Sequence, residues 1–251
     1  MLGKRKELCR MGDVVLRISE MFGPTLQGEG RSQGKSVLFL RLGLCNLDCA
    51  WCDTPYTWDW SGKNGVAYDR DKELTTMPIA DVAEWLLARA KQFDTRRVVI
   101  TGGEPLIQQR RLVPLIEQLV EAGLGIEIET NGTYLPNETV RDNCSLNVSP
   151  KLASSGVDQI VAIDYEVLNQ IKLTCDSSFK FVVKDTTDLA QVTDVVEKLG
   201  IEPERVHLMP EGRTREEILQ RLPWLFNICA SRGWNLSPRL HVLAFNDERG
   251  I

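Results

Sequence analysis

The chain has 251 residues, 43% of them hydrophobic and 26% charged, enough to bury a full core within the size range of one α/β domain. Its formal charge of −5 argues against a nucleic-acid grip, which needs a basic surface, and points to a small substrate. The seven cysteines are odd in number, three are packed together, and no apolar run follows Lys4, Arg5 and Lys6, so a secreted disulfide framework and a signal peptide are disfavoured and a reducing cytoplasm is expected. No stretch approaches the roughly 18 to 20 apolar residues of a membrane span.

Residues 1–12 carry little pattern and read as an N-terminal tail, with 13–251 as a single core domain ending in a substrate-binding segment. In chain order, period and punctuation predict a strand at 37–42, a helix at 78–91, a strand at 97–101, a helix at 112–122 and a strand at 125–130. Further on come a strand at 146–148, a helix at 165–170, a strand at 179–183, a helix at 188–199, a strand at 205–209, a helix at 215–231 and a last strand at 240–244. This alternation makes a parallel sheet. About six core strands favour a partial, splayed (β/α)6 barrel of the TIM-like kind over a closed eightfold one. Ligands then belong at the C-terminal strand ends, where the turns at 101–105, 129–132, 149–151 and 209–210 fall. Between Cys52 and Pro78 lie about 25 residues without clear pattern, and long irregular loops in compact domains are usually functional or disordered.

Cys45, Cys49 and Cys52 stand in a C-x3-C-x2-C spacing directly after the first predicted strand. Iron–sulfur clusters of the four-iron type normally take about four thiolates. Three with no fourth nearby suggest a cluster with one iron open to a small molecule. The alternative is a structural zinc site completed by Cys9, Cys144, Cys175 or Cys229. Gly102 and Gly103 follow the apolar strand end, where missing side chains let a ligand approach backbone closely. The cysteine spacing and the Thr101-to-Pro105 turn resemble the signatures of the radical S-adenosylmethionine (SAM) superfamily. That resemblance implies a barrel of the radical SAM type, SAM chelated on the open iron of a [4Fe-4S] cluster, and SAM contacts from Gly102, Gly103 and Glu104. Thr130, Asn131, Ser149 and Lys151, at the next strand ends, are expected to meet SAM as well.

Upstream and downstream segments narrow the resemblance: Ser19-Glu20, the run from Leu26 to Gly30, Phe39 to Arg41, Cys52 to Thr54, Ser237 to His241 and Asn246 to Ile251. Together they resemble the 7-carboxy-7-deazaguanine synthase family over nearly the whole chain, from about residue 16 onward. The resemblance implies conversion of 6-carboxy-5,6,7,8-tetrahydropterin to 7-carboxy-7-deazaguanine with loss of ammonia. It also implies Mg2+ at Thr54, a flavodoxin- or ferredoxin-like reductant and a homodimer. Gln27, Gly28 and Glu29 could pair with the pterin edge, and Arg41 or Arg249 with its carboxylate; Thr101, His241 and Ile251 complete the expected substrate wall. Arg41 interrupts an apolar strand and must find an anion there. The competing readings are a glycyl-radical activase-type radical SAM protein and a zinc-stabilised binding module.

Overall fold

The computed structural model describes residues 14–251; the expected tail at 1–12 and Cys9 lie outside them. In chain order the strands are β1 (Val15–Leu26), β2 (Ser36–Leu42), β3 (Thr75–Pro78), β4 (Arg97–Gly102), β5 (Gly125–Thr130), β6 (Cys144–Val148), β7 (Asp176–Val183), β8 (Val206–Pro210) and β9 (Asn235–Leu236). The helices are α1 (Arg70–Glu73), α2 (Ile79–Phe93), α3 (Gln109–Glu121), α4 (Glu138–Asn143), α5 (Gln159–Ala162), α6 (Tyr165–Thr174), α7 (Thr186–Leu199), α8 (Arg215–Arg232) and α9 (Leu240–Phe245).

One sheet runs β3-β1-β2-β4-β5-β6-β7-β8-β9. From β2 to β9 every pairing is parallel, while β1 pairs antiparallel with both β2 and β3. The ends β3 and β9 are not paired with each other, so the barrel is open, as the strand count predicts. Residue period explains its two faces. Leu38, Leu40, Leu42, Val98, Ile100, Ile126, Ile128, Leu146, Phe179, Phe181 and Leu208 join the apolar faces of the helices in one core. The alternate positions face inward: Phe39, Arg41, Thr101, Glu129, Lys180, Val182 and Met209 line a cavity inside the sheet. Local chemistry fixes the helix ends. Thr214 and Glu217 form a capping box at the start of α8, and Gly200 and Gly233 close α7 and α8 in the left-handed conformation.

Two expectations are corrected. The segment 240–244 is helical, within α9, rather than a last strand; a short apolar run does not by itself distinguish the two, and the sheet ends at β9. The stretch from Cys52 to Pro78 also holds more order than a bare loop. It contains a 3-10 turn at Pro55–Thr57, α1 and β3, and Asp59 accepts backbone N–H bonds from Gly62, Lys63 and Asn64. Among the described residues no helix is long and apolar enough to cross a membrane.

Candidate active site

The cavity opens at the C-terminal ends of the parallel strands. Cys45, Cys49, Cys52, Thr54, Gly102, Gly103, Thr130, Asn131, Ser149 and Lys151 form part of its wall. Gln27, Gly28, Glu29, Arg41, Thr101, His241, Arg249 and Ile251 form more of it. Of the residues expected to touch cofactor or substrate, only Glu104 is missing from the wall. Its fully buried carboxylate accepts bonds from Leu106 N–H at 2.9 Å, Thr130 Oγ1 at 2.9 Å and Asn131 N–H at 2.7 Å. Glu104 therefore ties the β4 turn to the β5 turn from behind, and burial raises its pKa.

The glycine pair has a stricter reason than ligand access. A Cβ at Gly102 would stand 2.0 Å from the Leu42 carbonyl oxygen, and one at Gly103 would stand 2.1 Å from that of Leu44. Gly103 N–H and Glu104 N–H donate to the same two carbonyls, at 3.1 and 2.8 Å. The pair thus seats the cysteine loop directly on the end of β4, and the Gly103 amide is already used.

The three thiols are held by burial in their protonated range: Cys45 is pushed up to about 12, and Cys49 and Cys52 are also raised. Leu47 N–H points at Cys45 Sγ (3.4 Å) and Trp58 Nε1–H at Cys52 Sγ (3.3 Å), donors suited to anionic sulfur. Metal ligation here would release protons. Among the described residues no three His, Cys, Asp or Glu converge closely enough for a single metal ion, whereas in a cubane cluster each thiolate binds a different iron and the three need only face one volume. Cys144, Cys175 and Cys229 lie away from this wall. Among the described residues the donor set therefore fits a polynuclear iron–sulfur group and does not assemble a tetrahedral zinc site. Thr54 occupies the N-cap of the Pro55–Thr57 turn, yet its side chain makes no capping bond; its hydroxyl shares a hydrogen bond with Cys52 Sγ at 3.8 Å on the cavity wall.

Opposite the cysteines stands a set of charges. Glu29 is paired with Lys180 and with Arg239 Nε (3.0 Å), and Arg239 also holds Asp53. Burial opposes the charge on Glu29, but Lys180 and Arg239 outweigh it and hold the carboxyl far below its usual range. Gln27 Nε2 donates to Glu127 (3.1 Å) and Glu129 (3.2 Å), and Thr101 Oγ1 donates to Glu129 at 2.7 Å. Arg41 finds its anion in Glu20 (2.6 Å), which also accepts from Tyr56 and from Arg249 Nε at 3.1 Å. Arg249 stacks 3.6 Å over the Tyr56 ring. His241, on α9 instead of a strand, packs against Gly28; burial lowers its pKa, so the ring is neutral at pH 7.

Sequence reasoning assigned no role to Lys180, Arg239, Asp53 or the Glu129 side chain. The signal for Lys180 was present: like Arg41 it is a lone cation inside an apolar strand. Arg239 and Asp53 sit in segments whose pattern was noticed, but nothing in their spacing shows that they meet across 186 residues.

A family model described as the radical SAM superfamily matches residues 41–220. A 7-carboxy-7-deazaguanine synthase of Pyrobaculum aerophilum is 34% identical over 94% of this chain and 97% of its own. That of Rhodopirellula baltica is 34% identical over 96% and 91%, and that of Escherichia coli 33% over 89% and 96%. The crystal structure of QueE from Escherichia coli superposes with a TM-score of 0.70 at 28% identity, covering 93% of this chain and 98% of that one.

Proposed function

The chain belongs to the radical SAM superfamily and, within it, to the 7-carboxy-7-deazaguanine synthase family, and on that premise we propose that it converts 6-carboxy-5,6,7,8-tetrahydropterin to 7-carboxy-7-deazaguanine with loss of ammonia. The observation that carries this reading is that the three cysteines and the Gln27-to-Glu29 loop line one and the same cavity. When bound, a [4Fe-4S] cluster with SAM on its open iron supplies the 5′-deoxyadenosyl radical that starts the reaction.

Cys45, Cys49 and Cys52 would hold the cluster. The Gly102–Gly103 turn would take SAM, with Thr130, Asn131, Ser149 and Lys151 at the neighbouring strand ends to meet its ribose and carboxylate. Lys151 Nζ already donates to Ser149 Oγ at 2.9 Å, so the two act together. The pterin edge pairs with Gln27, Glu29 and the Gly28 backbone, and Thr101 and His241 close the wall beside it. Because Lys180 and Arg239 keep Glu29 ionised, that carboxylate accepts N–H donors and does not exchange protons near neutrality. Arg41 and Arg249 provide positive charge for the substrate carboxylate; Glu20 orients both guanidinium groups and leaves them with N–H donors to spare. Thr54 supplies a hydroxyl oxygen to Mg2+, a hard cation that suits oxygen donors. Asn246 to Ile251 form part of the cavity wall. A flavodoxin- or ferredoxin-like protein is the electron donor, the working form is a homodimer, and the compartment is a reducing cytoplasm.

The test is anaerobic reconstitution followed by incubation with dithionite, SAM, Mg2+ and the tetrahydropterin, with 7-carboxy-7-deazaguanine read by mass spectrometry. Product that disappears in Cys49→Ala supports both cluster and substrate. Cleavage of SAM to 5′-deoxyadenosine with no deazaguanine would retain the radical chemistry and overturn the substrate.

A further inference from the structure

Arg239 has a left-handed backbone, φ 58° and ψ 69°, although it is not glycine. Such a conformation in a non-glycine residue costs about 1–3 kcal/mol and persists where surrounding contacts over-determine it. Here the side chain is nearly fully buried and meets three separate segments. Nε donates to Glu29 Oε1 at 3.0 Å, Nη1 to the Gly212 carbonyl at 2.5 Å, and Nη2 to Asp53 Oδ2. On either side of Arg239 the chain is stapled to the loop that carries Glu29. Leu240 N–H donates to Gly28 O at 3.0 Å, and Ser237 Oγ accepts Gly30 N–H at 2.9 Å. Arg239 and the 28–30 loop are therefore one body, and Asp53, between Cys52 and Thr54, is its charged link to the cysteine loop.

We propose that Arg239 is a positioning residue that carries the state of the pterin loop to the cysteine loop, so that contact at Glu29 and the placement of Cys52 and Thr54 are set together. The inference rests on the reading that Glu29 takes the pterin. Lys180 and Arg239 sit between Glu29, Asp53 and Glu129, the last 3.8 Å from Lys180 Nζ, so Arg239 is shared by Glu29 and Asp53. A ligand that donates to Glu29 Oε1 competes with Arg239 Nε for that oxygen, and the guanidinium then leans on Asp53. The cysteine loop is tightened when substrate is present and looser when it is absent. A lysine keeps the charge at 239 but presents its donors from one nitrogen, unable to span Glu29, Gly212 and Asp53 as the planar fork does. A glycine relieves the backbone cost and deletes the link.

The experiment uses reconstituted wild type, Arg239→Lys, Arg239→Gly and Asp53→Asn, the last breaking the link from its partly exposed end should the Arg239 variants fail to fold. Three quantities are read: the electron paramagnetic resonance spectrum of the reduced cluster with and without 6-carboxy-5,6,7,8-tetrahydropterin, the pterin Kd, and the ratio of 5′-deoxyadenosine to 7-carboxy-7-deazaguanine. In wild type the pterin shifts the spectrum. In the variants the shift disappears and, at saturating pterin, the ratio rises about tenfold, the scale seen when groups that orient metal ligands are lost. A wild-type spectrum indifferent to pterin, or variants that keep the shift, overturn the coupling. Weakened pterin binding with an unchanged ratio also overturns it, leaving Arg239 as support for the substrate loop alone. Wild type that makes no deazaguanine from this pterin overturns the substrate reading instead.

Discussion

A single added methyl at Gly28 would stand 2.1 Å from His241 Nδ1 and 3.0 Å from its Cε1, which turns a small residue on the cavity wall into a fitted part of the site. The Gly28→Ala variant must push His241 and the start of α9 away. Its expected effect is a KM for the pterin raised about ten- to a hundredfold, with SAM cleavage to 5′-deoxyadenosine continuing; steady-state kinetics of both products check this. Lys180 is fitted in a different sense. Its side chain is 6% exposed and faces Glu29, at 11%, so replacing Lys180 with Met leaves the buried Glu29 only Arg239, a guanidinium it shares with Asp53, and takes away the cation 3.8 Å from Glu129. Loss of one partner of a buried pair costs about 3–5 kcal/mol, whereas removing both charges is far milder. Urea unfolding should therefore show a marked fall in midpoint for Lys180→Met, and the Lys180→Met, Glu29→Leu double variant should recover much of it while remaining unable to bind pterin.

At the scale of elements, the strands were legible because both faces of a parallel sheet are buried and read as apolar runs. The order from β2 through β8 and the open barrel follow from that signal together with the turns at the strand ends. What the runs conceal is their inner face, where polar residues alternate with core residues: Glu127 and Glu129 on β5, Asn147 on β6, Lys180 on β7, His207 on β8. Read by period two, these positions announce a polar lumen; read as propensity, they are blemishes in good strands. The site residues were legible where a turn gathers them, as at Thr101 to Glu104, and illegible where long-range pairing does, as between Asp53 and Arg239. The last strand was misread because Leu240 to Phe245 is too short and too uniformly apolar to carry a period. His207 gives this inner face a pH signature. Burial, with Lys180 and Arg31 nearby, lowers its pKa from 6.5 to about 4, so the folded protein keeps it neutral where the unfolded chain protonates it. Its contribution is complete above pH 6.5 and is lost as pH falls toward 4, by up to about 3 kcal/mol for the full shift. Urea midpoints measured from pH 7 to 5 should fall less steeply in His207→Phe than in wild type.

For the molecule as a whole, the open side of the barrel matters most, because the sheet leaves the cavity to be finished by its two chain ends. Residues 20–30 enter from the N-terminal side and 237–251 from the C-terminal side, and they meet through Gly28–Leu240, Gly30–Ser237 and Glu20–Arg249. These contacts close loops of more than two hundred residues, so this part of the cavity wall is specified by the global fold and by no local segment. The outermost layer is held more lightly than the core. Asn246 Oδ1 accepts from Arg215 N–H at 2.8 Å, Asp247 pairs with Arg213, and Arg249 reaches Glu20 and Glu73 at 3.1 and 3.0 Å, with its own side chain 45% exposed. Exposed pairs of this kind contribute about 0–1 kcal/mol each, so a chain ending at Phe245 should keep its cooperative unfolding with a midpoint near that of the full protein. Its chemistry should change far more. Removing Arg249 and Ile251 deletes part of the cavity wall, while the cysteine loop and the Gly102–Gly103 turn stay in place. The expected outcome is a truncated enzyme that still reduces and cleaves SAM yet releases little 7-carboxy-7-deazaguanine, seen as 5′-deoxyadenosine in large excess over product. Equal losses of SAM cleavage and product would show instead that residues 246–251 support the cysteine side of the cavity.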